Sequence, residues 1–381
     1  MKYKKLKEIN EYVSKSISPM AMPEQKFEMY SVPIYDTGHP EYLFGSEIAS
    51  NKLQVQKNDV LLCKINPRIN RVWVVADESE YPCIASSEWI VIRNSEYNPE
   101  FLAWYFRSSK FQQLMVSEVT GIGGSLTRAQ PKAIAEYPVP IVERTEQDKI
   151  VNVLNKINSV ITARKTELQK LDDLVKSRFV EMFGDPVLNP YGWDKARLSD
   201  LAEIKIGPFG SLLHKDDYFE NGHPLINPSH IIDGKVVPDS KLTVSEEKYC
   251  DLSSYQMKKG DVVLGRRGEM GRCAVVPEDG MLCGTGSLFI RSNGKLRPEF
   301  IQKIISYPTF KLQIEDMSVG VTMQNLNVPI VSNFEIITPP GEVQKSYYSF
   351  VEQVAKSKVA VQKSLDEMQV LFDALMQKYF G

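Results

Sequence analysis

The sequence predicts an α+β fold built twice, as two globular units each followed by a long helix. Three observations carry this. Residues 147–184 and 344–381 align without a gap at an offset of 197, both starting at Gln and ending in Phe-Gly. Upstream of each, short β-rich runs separated by Gly, Pro and Asn recur in the same order. Within each unit a Pro-Glu-Phe step, at 99–101 and 298–300, marks a helix start.

Taken along the chain, the repeat is dense. KLKEI at 5–9 answers RLSDL at 197–201, and KNDVLL at 57–62 answers KGDVVL at 259–264. IASSEWIVIR at 84–93 answers LCGTGSLFIR at 282–291, and NPEFL at 98–102 answers RPEFI at 297–301. YPVP at 137–140 stands where FEII stands at 334–337, each just before a long helix. The offset drifts between 192 and 202, as loop insertions would make it. Strands are expected at 72–75, 89–92, 261–264 and 287–290, with one helix per unit near 99–116 and 298–314. The units are residues 1–142 and 184–340, and the helices 143–183 and 341–381.

Both helical segments alternate apolar positions three and four apart, the period of a coiled-coil seam. The first seam runs Ile150, Leu154, Ile157, Ile161, Arg164, Leu168, Leu171, Val175, Arg178, Met182. The second runs Tyr347, Val351, Val354, Lys358, Val361, Leu365, Met368, Phe372, Leu375, Tyr379. Ile150, Leu154, Ile157, Leu168 and Leu171 are expected to pack against Val351, Val354, Leu365, Met368 and Phe372. Arg164, Arg178 and Lys358 interrupt the seams with charge. Equal length and shared register favour pairing of the helices with each other, and Gly184 and Pro186 stop the first.

Composition excludes several classes. With 43% hydrophobic and 25% charged residues the chain is neither disordered nor collagenous. No apolar run reaches the roughly 18 residues of a membrane span. MKYKKLKEIN at the start carries no apolar stretch behind its lysines, so no secretion signal is expected. Cys63, Cys83, Cys250, Cys273 and Cys283 are odd in number and form no C-x-x-C, which fits a reduced cytoplasm and no cysteine metal site. The formal charge of −2 argues against a generic nucleic-acid coat.

Catalytic motifs are missing. There is no P-loop, no H-E-x-x-H, and no metal spacing among His39, His214, His223 and His230. TPPG at 338–341 lacks both ends of an adenine-methylation loop, and the glycines at 121–124 lack a strand–helix context. The basic residues, by contrast, cluster. KINPRINR at 64–71 offers Lys64, Asn66, Arg68, Asn70 and Arg71 with no acid, and GRRGEMGR at 265–272 offers Arg266, Arg267 and Arg272 against one Glu. Both follow the matched D-V-x-L strand, so the duplication places them equivalently. Arg forks and Asn amides read base edges, and Lys holds phosphate. Two further matched loops mix glycine with hydroxyl, amide or Arg groups: Ser125, Thr127 and Arg128 in the first unit, Thr322, Gln324 and Asn325 in the second. KIGPFGS at 205–211 adds Lys205, Ser211 and an aromatic tip.

This ordered set resembles the DNA-specificity (S) subunits of type I restriction–modification systems. It is carried by residues 64–73, SSEW at 86–89, residues 121–128, GPFGS at 207–211, GDVVL at 260–264, GTG at 284–286 and the prolines at 339–340, over the whole chain. The resemblance implies two target-recognition domains separated by two long antiparallel helices in pseudo-two-fold symmetry. Each domain would read half of a split double-stranded DNA target, with the helices setting the gap between the halves. Two methyltransferase (M) subunits would dock around the helices and methylate adenine, and restriction (R) motor–nuclease subunits would join for cleavage. S-adenosylmethionine, ATP and Mg would act on those partners, with no cofactor and no catalysis in this chain. The second unit has 17 basic and 20 acidic residues against 16 and 16 in the first, so its grip on DNA would lean on the M subunits. The competing expectation is a coiled-coil tether with two heads for ligands other than DNA, and after it an enzyme with an unrecognised site.

Overall fold

The computed structural model describes residues 2–76, 78–117, 119–120, 127–209, 212–318 and 325–381. They form two compact units: residues 1–168 with 359–381, and residues 169–358. Each unit therefore holds a part of both long helices.

In the first unit, β1 (Lys26–Tyr30), β2 (Val60–Cys63), β3 (Val72–Val74), β4 (Cys83–Ala85) and β5 (Trp89–Ile92) build the sheets that matter for function. β2 lies between β3 and β5, antiparallel to both, with Leu62 opposite Val72 and Ile90. β1 and β4 run parallel in a second sheet, with Met29 beside Ile84. In the second unit β6 (Ala202–Ile206), β7 (His223–Ile226), β8 (Val262–Gly265), β9 (Cys273–Val275), β10 (Met281–Cys283) and β11 (Ser287–Ser292) repeat the plan. β8 lies between β9 and β11, with Leu264 opposite Cys273 and Leu288, and β7 is parallel to β10. β6, added to the outside of β11, has no counterpart among the described residues in the three-stranded sheet of the first unit. β2 and β8 are buried along their whole length, because helices or the second sheet cover both faces; this is why they read as continuous apolar runs.

The repeat extends to single side chains. Asp59 in the first unit grips Arg93 with both oxygens at 2.7 Å, and Asp261 in the second grips Arg291 at 2.9 and 2.6 Å. Gln147 and Gln344, the aligned first residues of the helical repeat, are both buried. Each donates its side-chain amide at 2.8 Å to the carbonyl five residues earlier, on Val142 and Pro339.

The helix expected in each unit is two helices. Pro99–Arg107 ends at Ser108, whose backbone is extended (φ −65°, ψ 150°), and Ser109–Ser117 follows; the Ser108 hydroxyl accepts from Phe111 N at 3.3 Å. Pro298–Ile305 gives way to Pro308–Ser318 because a proline displaces the residue before it from helical geometry.

Both long segments are helices of 40 residues, Arg144–Phe183 and Gly341–Phe380. In the first unit the early turns of the central helix, through Ile150 and Leu154, share a core with Phe372 and Phe380 from the last turns of the C-terminal helix. In the second unit Phe179 and Phe183, from the end of the central helix, pack on Tyr347 near the start of the C-terminal one. Late turns meet early turns in both units, which makes the pairing antiparallel. All twenty seam positions are buried or half-buried, Ile157, Leu168, Leu171, Val351, Val354, Leu365 and Met368 among them. The charged interruptions find partners: Lys358 reaches Asp172 across the helix pair at 2.6 Å, Arg164 pairs with Glu167 and Arg178 with Glu181.

His223 on β7 stacks on Tyr249, with 3.8 Å between ring centroids, and is held by the Gly280 carbonyl at 2.9 Å and the Glu246 carboxylate at 2.7 Å. Burial opposes charge on the ring, but the bonds to Glu246 and Gly280 outweigh it and raise its pKa above the ordinary 6.5. Hydrogen bonding and charge from His223 hold Glu246 below its ordinary 4.5. The ring's contribution to stability is present below pH 6.5 and lost as pH rises through its raised value; that of Glu246 is present above 4.5 and lost as pH falls. The gap in thermal midpoint between wild type and His223→Gln is therefore expected to be widest between pH 4.5 and 6.5 and to narrow as pH rises above 6.5. A gap independent of pH would refute this role.

Candidate nucleic-acid interface

The end of β2 and the starts of β3 and β5 lie at one edge of the first unit's sheet, as their antiparallel register requires. Residues 64–71 turn across this edge. Asn66 makes the turn possible, because it occupies the left-handed region (φ 46°) that Asn tolerates better than most residues. Three backbone bonds tie the edge together: Lys64 N to Glu88 O at 3.1 Å, Ala129 N to Lys64 O at 2.9 Å and Asn66 N to Thr127 O at 2.8 Å. The basic turn, the serine-rich turn before β5 and the segment from Thr127 onward are thus one surface.

Most of its polar side chains serve that surface internally. Lys64 donates to the Ser87 carbonyl at 2.6 Å and Asn70 to the Phe106 carbonyl at 3.1 Å. Arg128 forks onto Glu88 at 3.0 and 3.3 Å. Arg71 is half-buried beside the Cys63 thiol, which burial pushes up and Arg71 pulls back down. Arg68 is exposed and makes no hydrogen bond or ion pair among the described residues.

The second unit repeats the arrangement at the matching edge. Arg266 N bonds Gly286 O at 2.9 Å, and Leu326 N bonds Arg266 O at 3.0 Å, the counterpart of Ala129 on Lys64. The Arg266 guanidinium turns inward to the Leu326 carbonyl at 2.8 Å; burial, and then the charge of Arg267, lowers its pKa. Arg272 binds Glu269 at 2.9 Å and the Pro228 carbonyl at 3.3 Å. Glu269 also binds Lys311 at 2.8 Å, and Lys311 with Arg272 holds its carboxyl below the usual range. Gly271 permits this packing, since a Cβ there would lie 2.7 Å from the Ile305 carbonyl. Lys205, on β6, pairs with Glu203 at 3.1 Å. Arg267 is exposed and, like Arg68, makes no hydrogen bond or ion pair among the described residues.

Asn325 and Thr127 sit in equivalent segments of the two edges, while Ser125, Ser211, Thr322 and Gln324 lie outside the described residues. Seven buried side-chain atoms among the described residues lack a hydrogen-bond partner, and four belong to these edges: Arg71 Nε, Thr127 Oγ1, Ser287 Oγ and Asn325 Oδ1. Buried polar atoms are normally satisfied, so their concentration at these two edges is unusual. Sequence reasoning counted Glu269 against the arginines without pairing it, and missed Glu88 as a partner of Arg128, together with Lys311 and Ser287. The SSEW run contains Glu88, but no sequence signal pairs it with Arg128, forty residues away.

With this geometry in place, comparison with known proteins is informative. The model of the type I restriction modification DNA specificity domain matches residues 190–367. The type I restriction enzyme MjaIX specificity subunit of Methanocaldococcus jannaschii is 22% identical over 303 residues, 73% of this chain and 67% of that protein. The EcoBI specificity subunit of Escherichia coli is 21% identical over 263 residues, 65% of this chain and 54% of that protein. Among solved structures, a chain from a study of complex assembly and conformational transition in the type I R-M system superposes with a TM-score of 0.64 at 21% identity, covering 100% of this chain and 97% of that one. The type I S subunit from M. genitalium gives 0.58 at 13% identity, with 100% and 96% covered; at such identities the likeness is one of fold. Residues 190–367 thus match a type I restriction modification DNA specificity domain, and the chain is similar over most of its length to the specificity subunits of type I restriction–modification systems.

Proposed function

We propose that each unit of this chain reads one half of a bipartite double-stranded DNA target, and that the paired long helices carry two M subunits. One observation supports this above the others. At the same sheet edge of both units, a basic turn keeps one exposed arginine without a hydrogen bond or ion pair among the described residues, while Lys64, Arg128, Arg266 and Arg272 are committed internally. An unpaired guanidinium on a backbone tied down by hydrogen bonds is preorganised to fork onto a base or a phosphate.

In this reading the chain performs no catalytic step. S-adenosylmethionine serves adenine methylation on the M subunits, and ATP and Mg serve R subunits where these join. This chain supplies target choice and holds the partners. The near-zero net charge then means that much of the phosphate grip, and with it much of the salt dependence, comes from the partners.

The test is coexpression of the chain with its methylating partner in a host lacking other adenine methylation, followed by genome-wide methylation mapping. The expected result is one split motif with methylated adenine that disappears when the chain is omitted. Methylation that is unchanged without the chain, or a continuous motif, overturns the proposal.

A further inference from the structure

We propose that Phe209 is a wedge that enters a base step of the half-site read by the second unit, an inference that rests on the DNA-reading function proposed above. Phe209 is 65% exposed, yet it stands on a fixed base. Gly207 and Pro208 before it are buried. Gly207 N donates to Ser287 O at 3.0 Å, and its backbone lies so close to the next turn that a Cβ would fall 1.9 Å from the Gly284 carbonyl. Beyond the tip, Leu212 N returns to the Phe209 carbonyl at 2.9 Å. Scattered surface hydrophobics are ordinary; a mostly exposed aromatic ring that follows a buried, hydrogen-bonded stretch of backbone is a tool.

Its position says for what. β6 ends where β11 begins, and the loop carrying Phe209 leaves from this point. The Gly284–Ser287 turn that seats Gly207 also holds the basic turn, through Gly286 O and Arg266 N. Phe209 thus belongs to the edge that presents Arg267. Apolar side chains that enter a base step unstack it and kink the duplex, and an aromatic ring regains stacking on the exposed base. Every base has a π-face, so the ring supplies affinity and DNA deformation while the neighbouring polar groups supply sequence.

The experiment uses the full chain assembled with its methylating subunits. Permanganate oxidation of thymines and 2-aminopurine fluorescence are scanned across the second unit's half-site and the spacer. The modified adenine, known from the methylation map, is set aside because extrusion of that base gives its own signal. Wild type is expected to unstack one step in the half-site. Phe209→Ala should abolish that signal and weaken target binding by roughly 5- to 150-fold, with the melting temperature unchanged. Phe209→Leu should retain part of both, and it carries the test if the alanine variant misfolds. If the complex binds and methylates DNA but shows no unstacked step, or the same step in the alanine variant, the wedge is overturned and the reading of DNA stands. If the complex neither binds nor methylates any duplex, both fall together.

Discussion

Replacing Asp261 by Ala is expected to lower the stability of the second unit by about 3–4 kcal/mol. The carboxylate is 3% exposed and makes three bonds: Arg291 Nε at 2.9 Å, Arg291 Nη2 at 2.6 Å and Lys258 N at 2.7 Å. Truncation strands a guanidinium and a backbone amide at once. Breaking a buried pair from one side costs about 3–5 kcal/mol. The upper end is not reached because Arg291, 27% exposed, keeps some hydration. The first unit holds the same device, with Asp59 on Arg93 and on Gln56 N at 2.8 Å, so Asp59→Ala should weaken that unit instead. Urea unfolding of the full chain, followed by hydrogen exchange in each unit, separates the two effects. A loss below about 1 kcal/mol would make these pairs incidental. Removing both partners, as Asp261→Leu with Arg291→Met, should cost less than Asp261→Ala alone, because no charge is left unpaired.

The second large effect is on recognition. Arg68→Ala and Arg267→Ala together should weaken target binding by the assembled complex by about 2–6 kcal/mol, which is about 1–3 for each lost bidentate contact. The two lie in different units, so their effects should add. Neither has an internal partner among the described residues, so stability should move by no more than about 0.5 kcal/mol. Each single change should relax the methylated motif at one half-site and leave the other intact. Equal weakening on all sequences, with the motif unchanged, would assign these arginines to phosphate. Arg128→Ala and Arg272→Ala are different experiments, because the first frees Glu88 from its ion pair, the second leaves Glu269 with Lys311 alone, and both disturb the edge itself.

Much of this protein was legible in one dimension because it was written twice. Gln147 and Gln344 were visible as the first residues of a gapless repeat, and the structure adds the reason: both are buried and tie the helix start to the connecting residues just before it. The seams were legible because a helix repeats its contacts every three to four residues. The breaks at Ser108 and before Pro308 were less so, since the apolar pattern continues through them and only the backbone changes direction. The candidate surface was found by clustering of positive residues, which detects charge but not commitment. Lys64 and Arg266 count as cations in the sequence, yet each spends its side chain on a carbonyl of its own unit.

The amino-acid sequence alone determined the duplication, the α+β class, the two long helices and the position of a basic turn after the same strand in each unit. All of these are set by local periodicity and by comparing the chain with itself. Tertiary structure decided which of the basic residues remain unpaired. Arg128 is neutralised from forty residues away and Arg266 is held by a carbonyl sixty residues away, whereas Arg68 and Arg267 are left facing solvent. It also decided that Phe209 is presented and not buried, because Gly207 lies against Gly284, seventy-seven positions along the chain. The physical reason is the same in each case. Ion pairs and close backbone contacts depend on distance in space, and the order of residues along the chain does not record that distance.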